Sequence, residues 1–143
     1  MIINHNYFLK LAFQLAEQNI GKTGLNPSVG SVVVKNNSVI SSGVTSVNGR
    51  PHAEFNALKN IKNTSGSTLY TSLEPCIHHG ITPPCTNIII KKKIKNVFYG
   101  FEDPDLRTFK KAKKILNIKE IKNKLIKSKK FEKLIEIIFN NES

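Results

Sequence analysis

The stretch Glu-Pro-Cys-Ile-His-His-Gly-Ile-Thr-Pro-Pro-Cys, from Glu74 to Cys85, holds both cysteines of this 143-residue chain, so any thiol chemistry is confined to this one place. A second short element, Pro51-His52-Ala53-Glu54, gives the cysteines a partner. One histidine and two thiolates are the three ligands that hold a catalytic zinc while leaving a fourth position for water. The fold must therefore bring His52 to Cys76 and Cys85, and Glu54, two residues past the histidine, is left free to move protons.

A His-x-Glu followed downstream by Pro-Cys and a second Cys is the pattern of zinc-dependent nucleobase deamination, in which the glutamate is acid and base rather than ligand. Zinc in such a site activates water at neutral pH for attack on an amidine-like ring carbon. Glu54 then takes the protons of that water in turn, passing one to the ring nitrogen and one to the departing amine. A purely structural zinc site would need a fourth protein ligand, for which His78 and His79 are the candidates, and would have no use for Glu54.

The length suits a single domain over residues 1–143. No run of eighteen apolar residues occurs, and the first residues lack the charged and apolar regions of a secretion signal, so a soluble cytoplasmic protein is expected, with no membrane partner. In a reducing compartment the two cysteines are expected to bind metal rather than pair. The formal net charge of +12 invites a nucleic-acid reading. However, the 22 basic residues are all lysine except Arg50 and Arg107, whereas bidentate recognition of phosphates and bases favours arginine. With Asn and Ile also abundant, a coding bias is the simpler account, and nucleic acid is not the expected partner.

Phe8, Leu11, Ala12, Leu15 and Ala16 recur at helical spacing before Gly21. Val29 to Val34 and Val39 to Val44 read as strands joined at Asn36-Asn37, residues that tolerate the positive φ of a hairpin turn. Pro51 introduces a helix with Ala53, Ala57, Leu58 and Ile61 on one face, which puts His52 on its first turn. A third strand, Thr68 to Thr71, delivers the chain into the cysteine stretch, and Pro83-Pro84 suit the start of a helix carrying Cys85. Both His52 and Cys85 would then stand at helix N-termini, where partial positive charge favours thiolate. Val97 to Tyr99 forms a fourth strand. An acidic turn (Glu102 to Asp105) and a Lys-rich helix to about Leu116 follow, then a short fifth strand near Ile118 to Ile121 and a last helix capped by Ser128, with Phe131, Leu134, Ile135 and Ile138 as its stripe. Strands alternating with helices after an opening hairpin imply a mixed sheet covered on both faces, an α/β fold.

Four further residues are candidates for substrate contact. Asn26, before Pro27, can hydrogen-bond a ring amide or sugar hydroxyl or serve as a turn residue. Glu74 can act near the ring or tie down backbone amides. His78 can touch substrate, orient another group or cap the loop. Arg50 is a cation beside the Pro-His-Ala-Glu element.

The eight-residue insertion between the cysteines resembles the deaminase domain of the bifunctional riboflavin-biosynthesis deaminase/reductase. The resemblance also rests on Asn26-Pro27-Ser28-Val29-Gly30, Pro51-His52-Ala53-Glu54, Leu73-Glu74-Pro75-Cys76 and Asp103-Pro104. It implies a cytidine-deaminase-like three-layer αβα sandwich. It also implies one Zn²⁺ per chain on His52, Cys76 and Cys85, catalysis by Glu54, Asn26 near substrate, and self-association. The implied reaction is hydrolytic removal of an amino group from 2,5-diamino-6-ribosylamino-4(3H)-pyrimidinone 5′-phosphate. No reductase domain lies within residues 1–143, so a separate reductase is expected to take the product. Alternatives are a deaminase of another nucleoside, base or tRNA, and a non-catalytic zinc-binding partner subunit.

The chain departs from the family in three places. Thr45 stands where the family usually has His, and Ile81 where it usually has Lys or Arg. Asp105-Leu106-Arg107-Thr108-Phe109 replaces an Asn-Pro and Gly-x-Gly continuation. All three are expected near the sugar-phosphate end of the substrate, where a replacement cation would come from Arg50 or the Lys110 to Lys114 run.

Overall fold

A computed structural model describes residues 4–140. Helix α1 (His5–Glu17) starts at Asn4, whose side-chain oxygen accepts from the Tyr7 amide at 3.0 Å and so satisfies one orphan donor of the first turn. Strands β1 (Gly30–Lys35) and β2 (Ser38–Val44) pair antiparallel through a turn in which Asn36 and Asn37 take φ of 51° and 61°, the hairpin expected from the Asn-Asn pair. Helix α2 (Ala53–Leu58), strand β3 (Thr68–Thr71), helix α3 (Cys85–Lys91) and strand β4 (Asn96–Tyr99) follow. The chain closes with α4 (Ala112–Ile118), β5 (Lys122–Leu125) and α5 (Lys129–Asn140).

The sheet runs β2-β1-β3-β4-β5, with β1 antiparallel to both neighbours and β3, β4 and β5 parallel. Successive strand residues face opposite layers. Val32, Val34 and Tyr70 pack with α1 and α5, whereas Val33, Leu69 and Val97 pack with α2, α3 and α4. This is the expected mixed sheet inside a three-layer αβα sandwich. The α1 face is wider than its sequence stripe: Leu9 and Phe13 are fully buried, because Phe13 stacks on Phe131 of α5 at 4.6 Å.

Three boundaries differ from the sequence pattern. Helix α2 stops at Leu58 and leaves Ile61 in the following loop. Helix α4 begins only at Ala112, because side chains take amides of the preceding segment: Asp103 caps Asp105 N at 2.9 Å and Asp105 caps Arg107 N at 3.0 Å. Such side-chain caps compete with helix formation. The fifth strand lies at Lys122–Leu125 rather than near Ile118, since α4 runs through Ile118 and the chain reverses at Glu120 with φ 60°. As an edge strand β5 has little of the apolar alternation that marks a half-buried one.

The placement of α2 depends on Gly43 in β2. A Cβ there would meet the Ala53 carbonyl oxygen and the Ala57 amide nitrogen, both at 2.5 Å, and neither backbone atom can yield without moving the helix. Gly43→Ala should therefore destabilise the fold by about 1–3 kcal/mol, the usual cost of overpacking. Urea unfolding checks this, and an unchanged midpoint would mean that α2 is free to shift.

Candidate active site

His52 is the N-cap residue of α2, Cys76 lies in the loop after β3, and Cys85 is the first residue of α3. The His52 Nδ1 atom lies 3.4 Å from Cys85 Sγ and 3.8 Å from Cys76 Sγ, and the three ligand atoms all fall within 4.8 Å of one another. Donors bound tetrahedrally to zinc at 2.0–2.3 Å stand about 3.3–3.8 Å apart, so these three residues fit the ion. His78 and His79 do not belong to this group: His78 Nδ1 lies 3.0 Å from Thr108 Oγ1, and His79 is exposed.

The two thiols have different characters. Cys76 is held at about 4, first by the hydrogen bond from the Cys85 thiol and then by His52 and the Cys85 backbone N–H at 3.2 Å. It is therefore thiolate at neutral pH, the form a metal needs. Cys85 moves the other way, pushed up by its hydrogen bond to Cys76 and by burial. This corrects the expectation that each helix end favours its own ligand. The first amide of α3 points at the Cys76 sulfur and leaves that of Cys85 unassisted.

Glu54 lies in the first turn of α2, and burial, reinforced by the Cys76 thiolate, pushes its carboxyl up to about 7. His52 is also shifted up, mainly by its hydrogen bond to Cys76. Together with Cys76, both line a cavity of about 810 Å³.

Asn26, Arg50, Glu74 and His78 line the same cavity. Asn26 Nδ2 donates to Gly49 O at 3.0 Å, across a turn that needs glycine: Gly49 has φ +98°, and a Cβ would lie 2.6 Å from Thr23 O. Arg50 is exposed and makes no hydrogen bond or ion pair with another described residue. Glu74, at 1 % exposure, takes the second of its two expected roles. Its Oε1 accepts from Asp103 N and Lys110 N at 3.1 Å each, and its Oε2 from Ala112 N at 3.0 Å.

Thr108 enters the sequence reading only as part of the 105–109 departure, with no role of its own. Its buried hydroxyl stands 3.3 Å from the Ile77 amide, which donates to it, and 3.0 Å from His78 Nδ1, so it clips the 103–111 loop to the cysteine loop. Arg107, in the same segment, was given no site role either, although it is one of only two arginines and lines the cavity. The Lys110 to Lys114 run does not line it, and Lys110 Nζ instead sits 5.2 Å from the centre of the Phe109 ring. Thr45 is buried, its Oγ1 accepting from Val29 N at 2.9 Å, and Ile81 is 82 % exposed at the cavity edge.

Residues 2–101 match the profile of the cytidine and deoxycytidylate deaminase zinc-binding region. The chain belongs to this deaminase family. The RibD riboflavin-biosynthesis protein of Actinobacillus pleuropneumoniae is 46 % identical over 99 residues, which is 68 % of this chain and 26 % of that protein. RibD of Aquifex aeolicus is 44 % identical over 117 residues, covering 80 % of this chain and 33 % of its own. The deaminase-family chain thus spans between a quarter and a third of the length of these relatives. Among solved structures, the diaminohydroxyphosphoribosylaminopyrimidine deaminase/5-amino-6-(5-phosphoribosylamino)uracil reductase of Thermotoga maritima superposes with a TM-score of 0.84 at 34 % identity, over 94 % of this chain and 39 % of that one. RibD of Acinetobacter baumannii gives 0.86 at 33 %, over 95 % and 38 %. No described helix is long and apolar enough to cross a membrane.

Glu74→Gln tests the loop anchor. An amide has one acceptor oxygen and turns an NH₂ group toward donors, so at least one of the three N–H groups loses its partner at a cost of about 1–3 kcal/mol. Hydrogen exchange should quicken at Asp103, Lys110 and Ala112 and leave the β1–β3 ladder protected, whereas unchanged exchange at the three amides would show that the carboxylate does not anchor the loop.

Proposed function

We propose that this chain is a zinc-dependent hydrolytic deaminase of an aminopyrimidine nucleotide, with 2,5-diamino-6-ribosylamino-4(3H)-pyrimidinone 5′-phosphate as substrate. The observation that carries the reading is a buried Glu54, shifted to about 7, beside a His/Cys/Cys donor set whose three ligand atoms lie within 4.8 Å of one another on one cavity. The RibD relatives point to the riboflavin pathway as the setting. In this reading His52, Cys76 and Cys85 hold one zinc per chain. When bound, the metal supplies Lewis acidity and lowers the pKa of water to about 7.

Glu54 carries the protons. A carboxyl poised near 7 can accept a proton from water and give it up again at neutral pH, which suits one residue to serve as base and then acid. It protonates the ring nitrogen first and the leaving amine second, so that water and amine are exchanged for a ring carbonyl and ammonia. Asn26 orients the ring or sugar, and Glu74 and Thr108 keep the cavity walls in place. Free Cys76 and Cys85 suit a reducing cytoplasm, and a reductase would take the product.

Ammonia release from the ribotide, compared with other aminopyrimidine nucleotides, free bases and RNA, tests the reading. Turnover of the ribotide is expected, and release only from an unphosphorylated base or from RNA would overturn the substrate assignment. Cys76→Ser and Cys85→Ser should each lose zinc, as read by elemental analysis, and full occupancy in both would remove them as ligands. Glu54→Gln should keep zinc and fold and lose about 10²- to 10⁴-fold in kcat, toward the upper end because the group acts twice per cycle. Turnover within a few-fold of wild type would take Glu54 out of the mechanism.

A further inference from the structure

The 22 basic residues of this chain include only two arginines, and the only basic Lys or Arg side chains lining the cavity are those two, Arg50 and Arg107. No lysine lines it. A sequence that places lysine at every other basic position keeps the planar guanidinium on the cavity wall. That group differs from an ammonium in presenting a fork of fixed donors that matches a phosphate or carboxylate two bonds at a time.

The fork of Arg107 is also positioned. Its Nε donates to Asp105 Oδ1 at 3.0 Å and its Nη2 to Asp105 Oδ2 at 2.6 Å, which fixes one edge of the guanidinium. The opposite edge, Nη1 and the second Nη2 hydrogen, has no partner among the described residues. Asp105 is itself held: its amide donates to Asp103 Oδ1 and its carboxylate accepts from Arg107 N. The whole turn hangs from Glu74 at both ends. Arg50 adds a second guanidinium with no ion-pair partner among the described residues. Of the carboxylates that line the cavity, Glu74 is committed to three amides, Asp103 to the Asp105 amide and Asp105 to Arg107, and none of them forms an ion pair with Arg50.

We propose that Arg107, oriented by Asp105, and Arg50 form a two-arginine clamp for the phosphate monoester of the substrate. This rests on the nucleotide-deaminase reading for the identity of the substrate and, through the arginines, deepens it. The clamp supplies the charge that Ile81 cannot, and it places substrate selection in the segment after Pro104.

Binding and turnover, measured separately on the zinc-loaded protein, test the clamp. Ribose 5-phosphate should bind in a calorimetric or NMR titration and ribose should not. Arg107→Ala and Arg50→Ala should each weaken the sugar phosphate by roughly ten- to a hundred-fold, the range of a charge-assisted hydrogen bond. Arg107→Lys, which keeps the charge and loses the fork, should restore only part. Lys113→Ala, an equal loss of charge on the exposed side of α4, should leave the affinity as it was. In turnover, the arginine variants should raise KM for the ribotide far more than they lower kcat. If the sugar phosphate does not bind, or binds the arginine variants as it binds wild type, the clamp is wrong whatever the ammonia assay shows. If it binds through the arginines while the ribotide yields no ammonia, the clamp stands and the substrate assignment is what has failed.

Discussion

The site depends on one buried carboxylate. Glu74 lies two residues before Cys76, and its side chain collects three backbone amides from a segment about thirty residues further on. A carboxylate at 1 % exposure is tolerable because three backbone amides supply it with donors. The exchange works both ways: the amides of a loop that forms no regular structure are satisfied, and the loop is fixed relative to the cysteines. Thr108 adds a second clip between the same two segments. A cavity wall made from loops thereby acquires a rigidity that loops do not usually have.

The sheet explains why those loops meet. Thr71 of β3 and Tyr99 of β4 are level in a parallel pair, so the segments that leave them emerge side by side, and Glu74 N still finds Phe101 O at 2.8 Å beyond the strands. Sites in parallel sheets form outside the carboxyl ends of the strands for this reason. Helix α2 reaches the same place by a different route. It lies against the antiparallel hairpin, over Gly43, and its first turn presents His52 and Glu54. Parallel and antiparallel halves of one sheet thus contribute opposite sides of one centre.

The positive charge of the chain takes on a different meaning once it is mapped. No described lysine lines the cavity, and the two residues able to form a planar fork stand on it. Net charge describes solubility and long-range attraction, whereas the choice between ammonium and guanidinium at a given position describes recognition. The rarity of arginine was visible in the sequence and could have drawn attention to Arg107.

The sequence by itself determined the chemistry of the centre and most of the elements. Ligand types, their spacing and the glutamate beside the histidine are properties of residue identity; hydrophobic periodicity located β1, β3, β4, α1 and α5 because their apolar faces have to be buried, and the Asn36-Asn37 turn located the largely exposed β2. The sequence did not reveal where α4 begins, which edge strand completes the sheet, or what Glu74, Thr108 and Arg107 do. Those depend on partners far away in the chain: a helix start withheld by Asp103 and Asp105, an edge strand with little apolar alternation to announce it, and a carboxylate whose role is fixed by amides it meets only after folding. Tertiary structure also decided which sulfur the start of α3 serves. Sequence places Cys85 at a helix start, and only the folded geometry turns that helix amide toward the sulfur of Cys76.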